Sequence, residues 1–383
     1  MKRLLPFVSV TVAALTFALF CFTAQAKKPD NPGGGGGAEY QIIPFLPPDI
    51  ETRESYVARL NDVGHAVGYA ERTDGTYAPY HLNIDSNSYT ALDGDGQAFG
   101  VNNLNQIVGR GKLGGLSLAV FWSDPSSGPV VLDPLPGDLE ADALAINDAG
   151  IVVGRSWPDG PGFAPRGAVW RVIVNGNGDV QVDGPQELTP LAGDSISAAV
   201  DINEVIGVSA QAVGASYNGL LHEAIVWTIS LNPDGTIAMP SAPQGLGTLG
   251  IDDPSESDGW AINNLGDACG QSDRMPFLAP AGELSQPLPL PRNTVSEGLF
   301  GSNYAADLND QGDIVGKLNI KQKGSRAYLW RDGKPVDLNT KLPAGSDWDS
   351  LRFAGSINNT GVIGGWGLLA SEPRGFLLIP ANP

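Results

Sequence analysis

Cysteine and basic residues are scarce in this chain, and each shortage excludes a class of protein. The 383 residues include 2 Cys, and Cys21 lies within an N-terminal apolar segment, so a disulfide framework is excluded. Lys and Arg number 23 against 42 Asp and Glu, which gives a formal net charge of −19. Because no basic run is available to neutralise phosphates, nucleic acid is not an expected partner. The acidity indicates solubility in a salty medium or attraction of a cationic partner.

Long apolar runs are equally rare, and the one present lies at the N-terminus. Two basic residues precede an apolar run over residues 4–20, and an A-x-A cleavage site follows at 24–26. This pattern predicts a secretory signal peptide over residues 1–26, cleaved after Ala26, and hence a secreted or periplasmic protein. Residues 27–38 contain PDNPGGGGG and predict a flexible linker. No later run is long enough to span a bilayer, so membrane insertion is not expected.

A short phrase returns seven times along residues 39–383: hydrophobic residues, Asn, a turn, and an apolar pair that ends in Gly. Clear examples are AINDAGIVVG, which ends at Gly154, and DLNDQGDIVG, which ends at Gly316. In the fourth repeat the phrase is interpreted as a shortened DINEVIG that ends at Gly207. A period of about 45 residues is typical of a four-stranded propeller blade. The repeated residues are Asn61, Asn102, Asn147, Asn203, Asn263, Asn309 and Asn358.

Each repeat divides into four predicted strands, labelled A to D in chain order. Strand A is the segment rich in Ala and Gly before the Asn, and strand B is the β-branched segment before the Gly. Strand C is aromatic and ends near an in-phase Trp, for which we expect packing within or between blades, and strand D has a looser pattern around a Leu. The in-phase residues are Trp122, Trp170, Trp227 and Trp330.

The Asn-x-x-Gly sequence between strands A and B predicts a tight turn whose last residue is left-handed. In the second repeat Asn105 replaces that Gly, and Asn is the next most tolerant residue at positive φ. The repeated Asn side chain is expected to bond the backbone of its own turn. These Asn residues are therefore predicted to belong to the scaffold and not to a catalytic site.

The two ends of the repeat region predict how the fold closes. Residues 40–46, YQIIPFL, resemble strand D but precede the first strand A, whereas the last repeat ends with strand C. An N-terminal strand would therefore complete the last blade and hide the edges of an open array. The sequence predicts an all-β fold, a single seven-bladed β-propeller of four-stranded blades over residues 39–383, closed by that strand.

The repeats resemble the bacterial extracellular HAF repeats. INDAGIVVG and LNDQGDIVG match the IN-x-x-G-x-IVG element, RAYLW at 326–330 and RGFLL at 374–378 match the segment like HAFLW, and GLGTLG at 245–250 matches the Leu-Gly pair. No repeat has the literal His-Ala-Phe, since Arg326, Arg374 and Glu223 hold the His position. The resemblance implies a secreted repeat protein without a defined activity.

Function is expected on one face of the propeller. The loops that join strand D to the next strand A, and strand B to strand C, share what we call the D–A face, and the A–B turns lie on the opposite A–B face. By analogy with other propellers, ligands bind the D–A face. Out-of-phase Trp residues are predicted in its loops, where rigid amphipathic rings stack on sugars or partner proteins. The candidate ligand-binding residues are Trp157, Arg166, Tyr217, His222, Trp348 and Trp366.

Candidate catalytic and metal-binding groups are few. Of 3 His, only His222 is expected near the D–A face. With Tyr217 and Arg166 it could eliminate a uronic acid polysaccharide, or two rim carboxylates could hydrolyse a glycoside. Oxygen-rich loops suit Ca²⁺ but match no fixed ligand spacing, and no other cofactor is indicated. The candidate metal ligands are Asp93, Asp95, Asp252 and Asp253.

The sequence therefore favours a secreted binding or interaction protein that holds a glycan or a cell-surface partner, with no catalysis expected. The alternative is a carbohydrate-active enzyme, either a polysaccharide lyase or a glycoside hydrolase, that uses the same face. The sequence leaves open the ligand, the choice between enzyme and binding protein, the oligomeric state, the exact blade count given the degenerate fourth repeat, and the choice between the periplasm and the extracellular medium.

Overall fold

The chain folds into a seven-bladed β-propeller, as the repeat predicts. The protein's structure is a computed structural model, and it describes residues 39–48, 52–158, 164–219, 221–252, 254–295 and 302–381. The predicted signal peptide and linker lie outside the described residues. No helix within the described part is long and apolar enough to cross a bilayer.

Each blade is an antiparallel meander of four strands. Blades 1 to 3 contain β2 to β5 (Thr52–Leu60, His65–Arg72, Tyr77–Asn83, Ser88–Ala91), β6 to β9 (Gly96–Val101, Ile107–Leu113, Leu116–Trp122, Val130–Leu132) and β10 to β13 (Glu140–Ile146, Ile151–Trp157, Arg166–Val174, Val180–Leu188). Blades 4 to 6 contain β14 to β17 (Ile196–Ile202, Ser209–Tyr217, His222–Ser230, Gln244–Gly245), β18 to β21 (Ser257–Ile262, Ala268–Ser272, Met275–Ala279, Gln286–Pro287) and β22 to β25 (Tyr304–Leu308, Ile314–Ile320, Gly324–Arg331, Lys334–Asp337). A short 3-10 helix, Leu338–Lys341, follows β25.

Blade 7 joins the two ends of the chain. Its strands A to C are β26 (Trp348–Ile357), β27 (Ile363–Leu369) and β28 (Glu372–Pro380), and its strand D is β1 (Tyr40–Phe45). In the antiparallel pairing of β1 with β28, Tyr40 faces Pro380 and Phe45 faces Gly375. The predicted closure by an N-terminal strand is therefore confirmed, and it turns an array of local hairpins into a ring.

The in-phase Trp residues join neighbouring blades. All four side chains are buried. Each indole Nε1 donates to a carbonyl oxygen that follows strand D of the preceding blade, with N···O distances of 2.8 to 3.1 Å; the acceptors are Asp93, Asp133, Thr189 and Pro289. A buried indole needs such a partner for its N–H group. The predicted packing role of these residues is confirmed.

The glycine that ends the repeated phrase lies opposite a bulge in strand A. In blade 3 the register shifts between Ala143 and Ala145, and a Cβ on Gly154 would lie 1.9 Å from the carbonyl oxygen of Asp142. Only glycine tolerates that approach. In blade 4 the residue in this position is Gly214, whose Cβ would lie 1.9 Å from the oxygen of Ala198.

The interpretation of the fourth repeat as a shortened phrase is therefore wrong. Gly207 lies before β15, within the A–B turn, at a φ of 69°. The fourth turn is longer than the other six, because Gly214 stands 11 residues after Asn203, whereas Gly154 stands 7 after Asn147. In this repeat both Gly207 and Gly214 follow a β-branched residue, so either could be taken as the end of the phrase. The close approach of Gly214 to strand A shows that Gly214 is the equivalent residue.

Each repeated Asn bonds both its own turn and the next blade. The Oδ1 atom of Asn309 accepts the N–H groups of Gln311 and Asp313 at 3.1 and 2.9 Å, which is the predicted turn contact. Its Nδ2 atom donates to the carbonyl oxygen of Asn358 in the next blade at 3.2 Å. The interblade bond recurs in every blade, including the one from Asn358 back to Asn61. A closed ring of hydrogen bonds thus fixes the A–B face.

Candidate functional site

Charged side chains from three blades cross the central channel and separate the two faces. Arg59 of β2 binds Asp201 of β14 at 2.6 Å and Asp307 of β22 at 3.1 Å. Asp201 also accepts the N–H of Ile262, and Asp307 accepts that of Ile357. Burial raises the pKa of Asp201 to about 6, against the lowering effect of the Arg59 charge. These contacts tie together blades that are not neighbours in the ring.

On the A–B face the residue after each repeated Asn forms a second ring. Its side-chain oxygen accepts the backbone N–H of the equivalent residue in the preceding blade; the ring consists of Asp62, Asn103, Asp148, Glu204, Asn264, Asp310 and Asn359. All of them except Asp148 line a cavity of about 140 Å³. Burial, followed by the charge of Asp148, raises the pKa of Glu204 to about 7. Since these side chains bond the neighbouring backbone, the ring is part of the scaffold.

The D–A face presents side chains that change from blade to blade. The residue after the phrase glycine is Tyr69, Arg110, Arg155, Ala215, Gln271, Lys317 or Trp366 in blades 1 to 7. Aromatic and aliphatic groups of blades 1, 2, 3 and 7 pack together between the charged crossing and this face; they are Tyr56, Tyr69, Phe99, Leu144 and Trp366. The inner positions of strands A and B therefore carry the differences between blades.

A buried carboxylate on blade 3 holds two arginines. Asp142 has a fully buried side chain, and it accepts a two-pronged hydrogen bond from Arg110 of blade 2. Arg155 binds the same carboxylate at 3.0 Å, and its guanidinium carbon lies 5.1 Å from the centre of the Trp157 ring. One carboxylate therefore holds two guanidinium groups, and the Nε atom of Arg155 has no hydrogen-bond partner among the described residues.

A second group of polar side chains that bind one another surrounds His222 in blade 4. Its Nδ1 lies 2.9 Å from Asp258 Oδ1, and its Nε2 lies 2.7 Å from Glu256 Oε2. The Tyr217 ring stacks on the imidazole with centroids 5.2 Å apart, and its hydroxyl donates to Asp258. Burial lowers the pKa of His222, but the hydrogen bond and charge of Asp258, with the charge of Glu256, raise it to about 8. At neutral pH the imidazole is therefore a cation that uses both nitrogens.

A third group, on blades 5 to 7, contains hydrogen-bond donors that have no acceptor among the described residues. The rings of Trp260 and Tyr304 stack with centroids 5.4 Å apart and planes at 12°, and Phe353 packs against Tyr304 at 5.6 Å. The Nζ atom of Lys317 lies 4.8 Å from the centre of the Tyr304 ring. Trp260 and Tyr304 are half-buried, and the Nε1 atom of Trp260 has no hydrogen-bond partner among the described residues. Burial lowers the pKa of Lys317 to about 8.

Two of the three predicted members of a His–Tyr–Arg group lie together. Tyr217 ends β15 and His222 begins β16, so the two residues lie on either side of a short B–C connection. Because the B–C connections lie on the D–A face, both residues are near that face, as predicted. Arg166 is engaged elsewhere, in ion pairs with Asp138 at 3.0 Å and Glu187 at 3.3 Å. Arg155 is the arginine whose charge acts on the Tyr217 phenol. The predicted grouping of Arg166 with His222 is wrong.

The out-of-phase Trp residues lie in strands, so their predicted place in exposed loops is wrong. Trp157 ends β11 and Trp348 begins β26, and they are 4% and 5% exposed. Trp348 packs edge-on against Phe376 at 5.8 Å. Trp366 lies within β27, half-buried, with its ring 6.2 Å from that of Tyr56. Their role in ligand binding stays a prediction.

Ion pairing accounts for two of the candidate metal ligands. Asp95 binds Arg72 at 2.9 Å, and Asp252 binds Arg274 at 2.7 Å. The backbone carbonyl of Asp93 accepts the indole of Trp122, and Asp253 lies outside the described residues. Across the described ranges, no group of three or more His, Cys, Asp and Glu side chains is arranged to hold a metal ion.

Sequence reasoning placed Tyr304 near the D–A face but missed Trp260 and Lys317, although a usable signal was present. Trp260 occupies the bulge of β18, between Gly259 and Ala261, and Lys317 directly follows the phrase glycine of its blade. If the repeats are aligned on that glycine, the strand B residues that do not repeat can be compared position by position. The aromatic and basic residues of this group lie at such inner strand positions and not in the loops.

Comparison with known proteins identifies the fold. No protein-family model and no curated protein sequence matches the chain. An oligogalacturonate lyase in complex with manganese is similar over 92% of this chain and 96% of its own, with 13% identity and a TM-score of 0.52. An acylaminoacyl peptidase in complex with a chloromethyl ketone matches 85% of this chain at 10% identity and a TM-score of 0.50, and the match spans about half of that protein, 51%. At such identities the likeness shows a shared propeller fold alone.

Proposed function

We propose that this protein is a secreted binding propeller that holds a glycan on its D–A face, beside the stacked Trp260 and Tyr304 rings. The stack is the observation that supports the proposal, because its two half-buried rings are fixed at 12° to each other. A sugar presents an apolar C–H face with hydroxyls around it, and a rigid aromatic surface with polar donors nearby suits both parts. The Lys317 ammonium, 4.8 Å from the centre of the Tyr304 ring, supplies such a donor.

Secretion and membership of the HAF-repeat family are part of the same proposal. The signal-peptide pattern of residues 1–26 and the resemblance of the repeats to extracellular proteins support them. A protein exported from the cytoplasm meets the polysaccharides of cell surfaces and of the surrounding medium, so an extracellular location agrees with a glycan ligand.

A carbohydrate-active enzyme is the second candidate, and the His222 group is the observation that favours it. His222 lies against Tyr217, with Asp258 and Glu256 within hydrogen-bond distance. A general base must have a free nitrogen within reach of the substrate proton. Both nitrogens of His222 are engaged, and its raised pKa keeps it protonated at neutral pH. This arrangement supports binding over catalysis.

The proposal is tested by applying the protein to a glycan array and measuring dissociation constants for the retained glycans by calorimetry. Trp260→Ala is expected to weaken binding about tenfold, because the stacking surface is lost. Leu265→Ala is the matched control, since Leu265 is an exposed apolar residue of the same blade on the A–B face, and binding should not change.

Two results would contradict the binding proposal: retention of no glycan at all, or an equal loss of affinity in both variants. The same glycans are analysed for new chain ends after incubation. Cleavage by the wild-type protein that disappears in His222→Gln would support the enzyme in place of the binding protein.

A further inference from the structure

One B–C hairpin on the D–A face carries cations that have no carboxylate within ion-pair distance among the described residues. In blades 1, 3 and 5 an arginine of the corresponding hairpin binds a carboxylate of strand A or of a D–A loop: Arg72 binds Asp95, Arg155 binds Asp142, and Arg274 binds Asp252. In blade 6, residues 317–326 form what we call the basic hairpin, with Lys317, Lys321, Lys323 and Arg326 and no Asp or Glu. Among the described residues no carboxylate lies within ion-pair distance of these cations.

The neighbouring blade adds Arg352, on which the charges of Arg326 and Asp349 act, and which has no carboxylate within ion-pair distance among the described residues. Arg352 lies at a bulge of β26, and its Nη1 atom is 3.1 Å from the position a Cβ would take on Gly324 in the basic hairpin. The Nε atom of Arg326 is buried without a hydrogen-bond partner in the described part of the chain. Lys321 and Lys323 are exposed. Cations gathered in this way repel one another, and a bound anion would relieve that repulsion.

Lys317 links the basic hairpin to the aromatic stack. It pairs with Tyr304 across β22 and β23, and its ammonium lies over the Tyr304 ring. Its half-buried position lowers its pKa to about 8, which reflects an ammonium group held away from water without a counter-charge. A carboxylate beside Lys317 would stabilise its charged form further. The stack and the hairpin therefore form one continuous surface.

We propose, on the basis of the glycan-binding function proposed above, that the glycan is a uronic acid polymer whose carboxylates bind along the basic hairpin while a sugar ring stacks at Trp260. Ammonium and guanidinium groups form their strongest hydrogen bonds with such anions. A uronic acid polymer carries a carboxylate on each ring and thus matches both halves of the surface.

The test compares binding of polygalacturonate oligomers with binding of neutral dextran oligomers by calorimetry. Lys317→Gln is expected to weaken polygalacturonate binding about tenfold, because a charge-assisted bond is lost. The double variant Lys321→Gln/Lys323→Gln should weaken it several-fold and reduce its dependence on salt. Lys334→Gln is the matched control, an exposed lysine of strand D in the same blade, and it should bind like the wild type.

The outcomes separate this inference from the function on which it rests. Equal affinity for neutral and uronic oligomers, unchanged by the hairpin variants, would overturn the inference and leave the glycan-binding proposal standing. Absence of binding to any glycan would overturn both. Tighter binding of a single-stranded oligonucleotide would also overturn the inference. If Lys317→Gln does not fold, the double variant decides, because its two side chains are exposed.

Discussion

The two faces of the propeller satisfy their polar groups in opposite ways. On the A–B face an Asn recurs in each blade and bonds the next one, so the ring closes on itself. On the D–A face the equivalent inner positions hold residues of six different types. Repetition lets every blade serve as the partner of its neighbour, whereas variation leaves some groups without a protein partner. Those groups are the ones a ligand can use.

The D–A face is itself divided. On blades 2 to 5, Asp142 and Asp258 bind the cations beside them. On blades 6 and 7, Lys317 and Arg352 have no carboxylate within ion-pair distance in the described ranges. The first region is therefore expected to govern stability and the second to govern binding. The following predictions test this division, from the largest effect to the smallest.

Neutralising the buried carboxylate of blade 3 should have the largest effect. In Asp142→Asn, Arg110 and Arg155 would remain in a region where the Asp142 side chain is fully buried and that of Arg155 is 4% exposed. Leaving buried charges uncompensated lowers the free energy of unfolding by about 3–5 kcal/mol, measured by urea denaturation. Asp95→Asn is the control, because its pair with Arg72 is exposed, and the expected loss is below about 1 kcal/mol. Similar losses in both variants would contradict the division.

Breaking the Asn ring should destabilise the fold without affecting ligand binding. Asn147→Ala removes the Nδ2 bond to Asn203 at 2.9 Å and the Oδ1 acceptor of the Ile151 N–H at 3.0 Å. Unpaired buried groups cost about 1–3 kcal/mol in free energy of unfolding, which urea denaturation measures. Asn175→Ala removes an Asx turn from an exposed hairpin with no interblade bond and should cost less. A change in glycan affinity in Asn147→Ala would refute the separation of the faces.

The smallest predicted effect is a pH dependence on the A–B face. Because burial and Asp148 raise the pKa of Glu204 to about 7, its ionised form is less favourable in the folded state than in the unfolded state. Its contribution to stability therefore falls as pH rises from the ordinary glutamate pKa, about 4.3, towards 7. Glu204→Gln should melt at a higher temperature than the wild type at pH above 7 and lose this advantage in acid. Glu372→Gln, an exposed control, should show no such crossover.

Much of the scaffold is predictable because its signals are local. The Asn-x-x-Gly turns, the position of Asn105 at a φ of 60°, and the in-phase Trp residues depend on neighbours in sequence or on a fixed period. The fourth repeat was misinterpreted because the local pattern around Gly207 resembles the phrase. Its true equivalent, Gly214, is defined by contact with Ala198 on another strand.

The candidate site was predictable only in part. Tyr217 and His222 were placed together because they lie on either side of one short connection in sequence. The Trp260–Tyr304 stack was missed because its rings come from different blades, 44 positions apart in the chain. The sequence placed Lys321, Lys323 and Arg326 in a B–C connection on the D–A face, where pairing with the acids of the rim was expected. Only the structure shows that no carboxylate lies within ion-pair distance of them among the described residues.

The sequence by itself determined the repeating unit and the strand that closes the ring, because backbone turns and strand periodicity follow from residues close together in the chain. It predicted seven blades, and the structure established that number. The tertiary structure decided which charges are compensated. Arg59 binds Asp201 and Asp307 from distant repeats, whereas Lys317 finds no carboxylate among the described residues. Such pairing depends on distances between strands of different blades, and those distances exist only after the ring has closed.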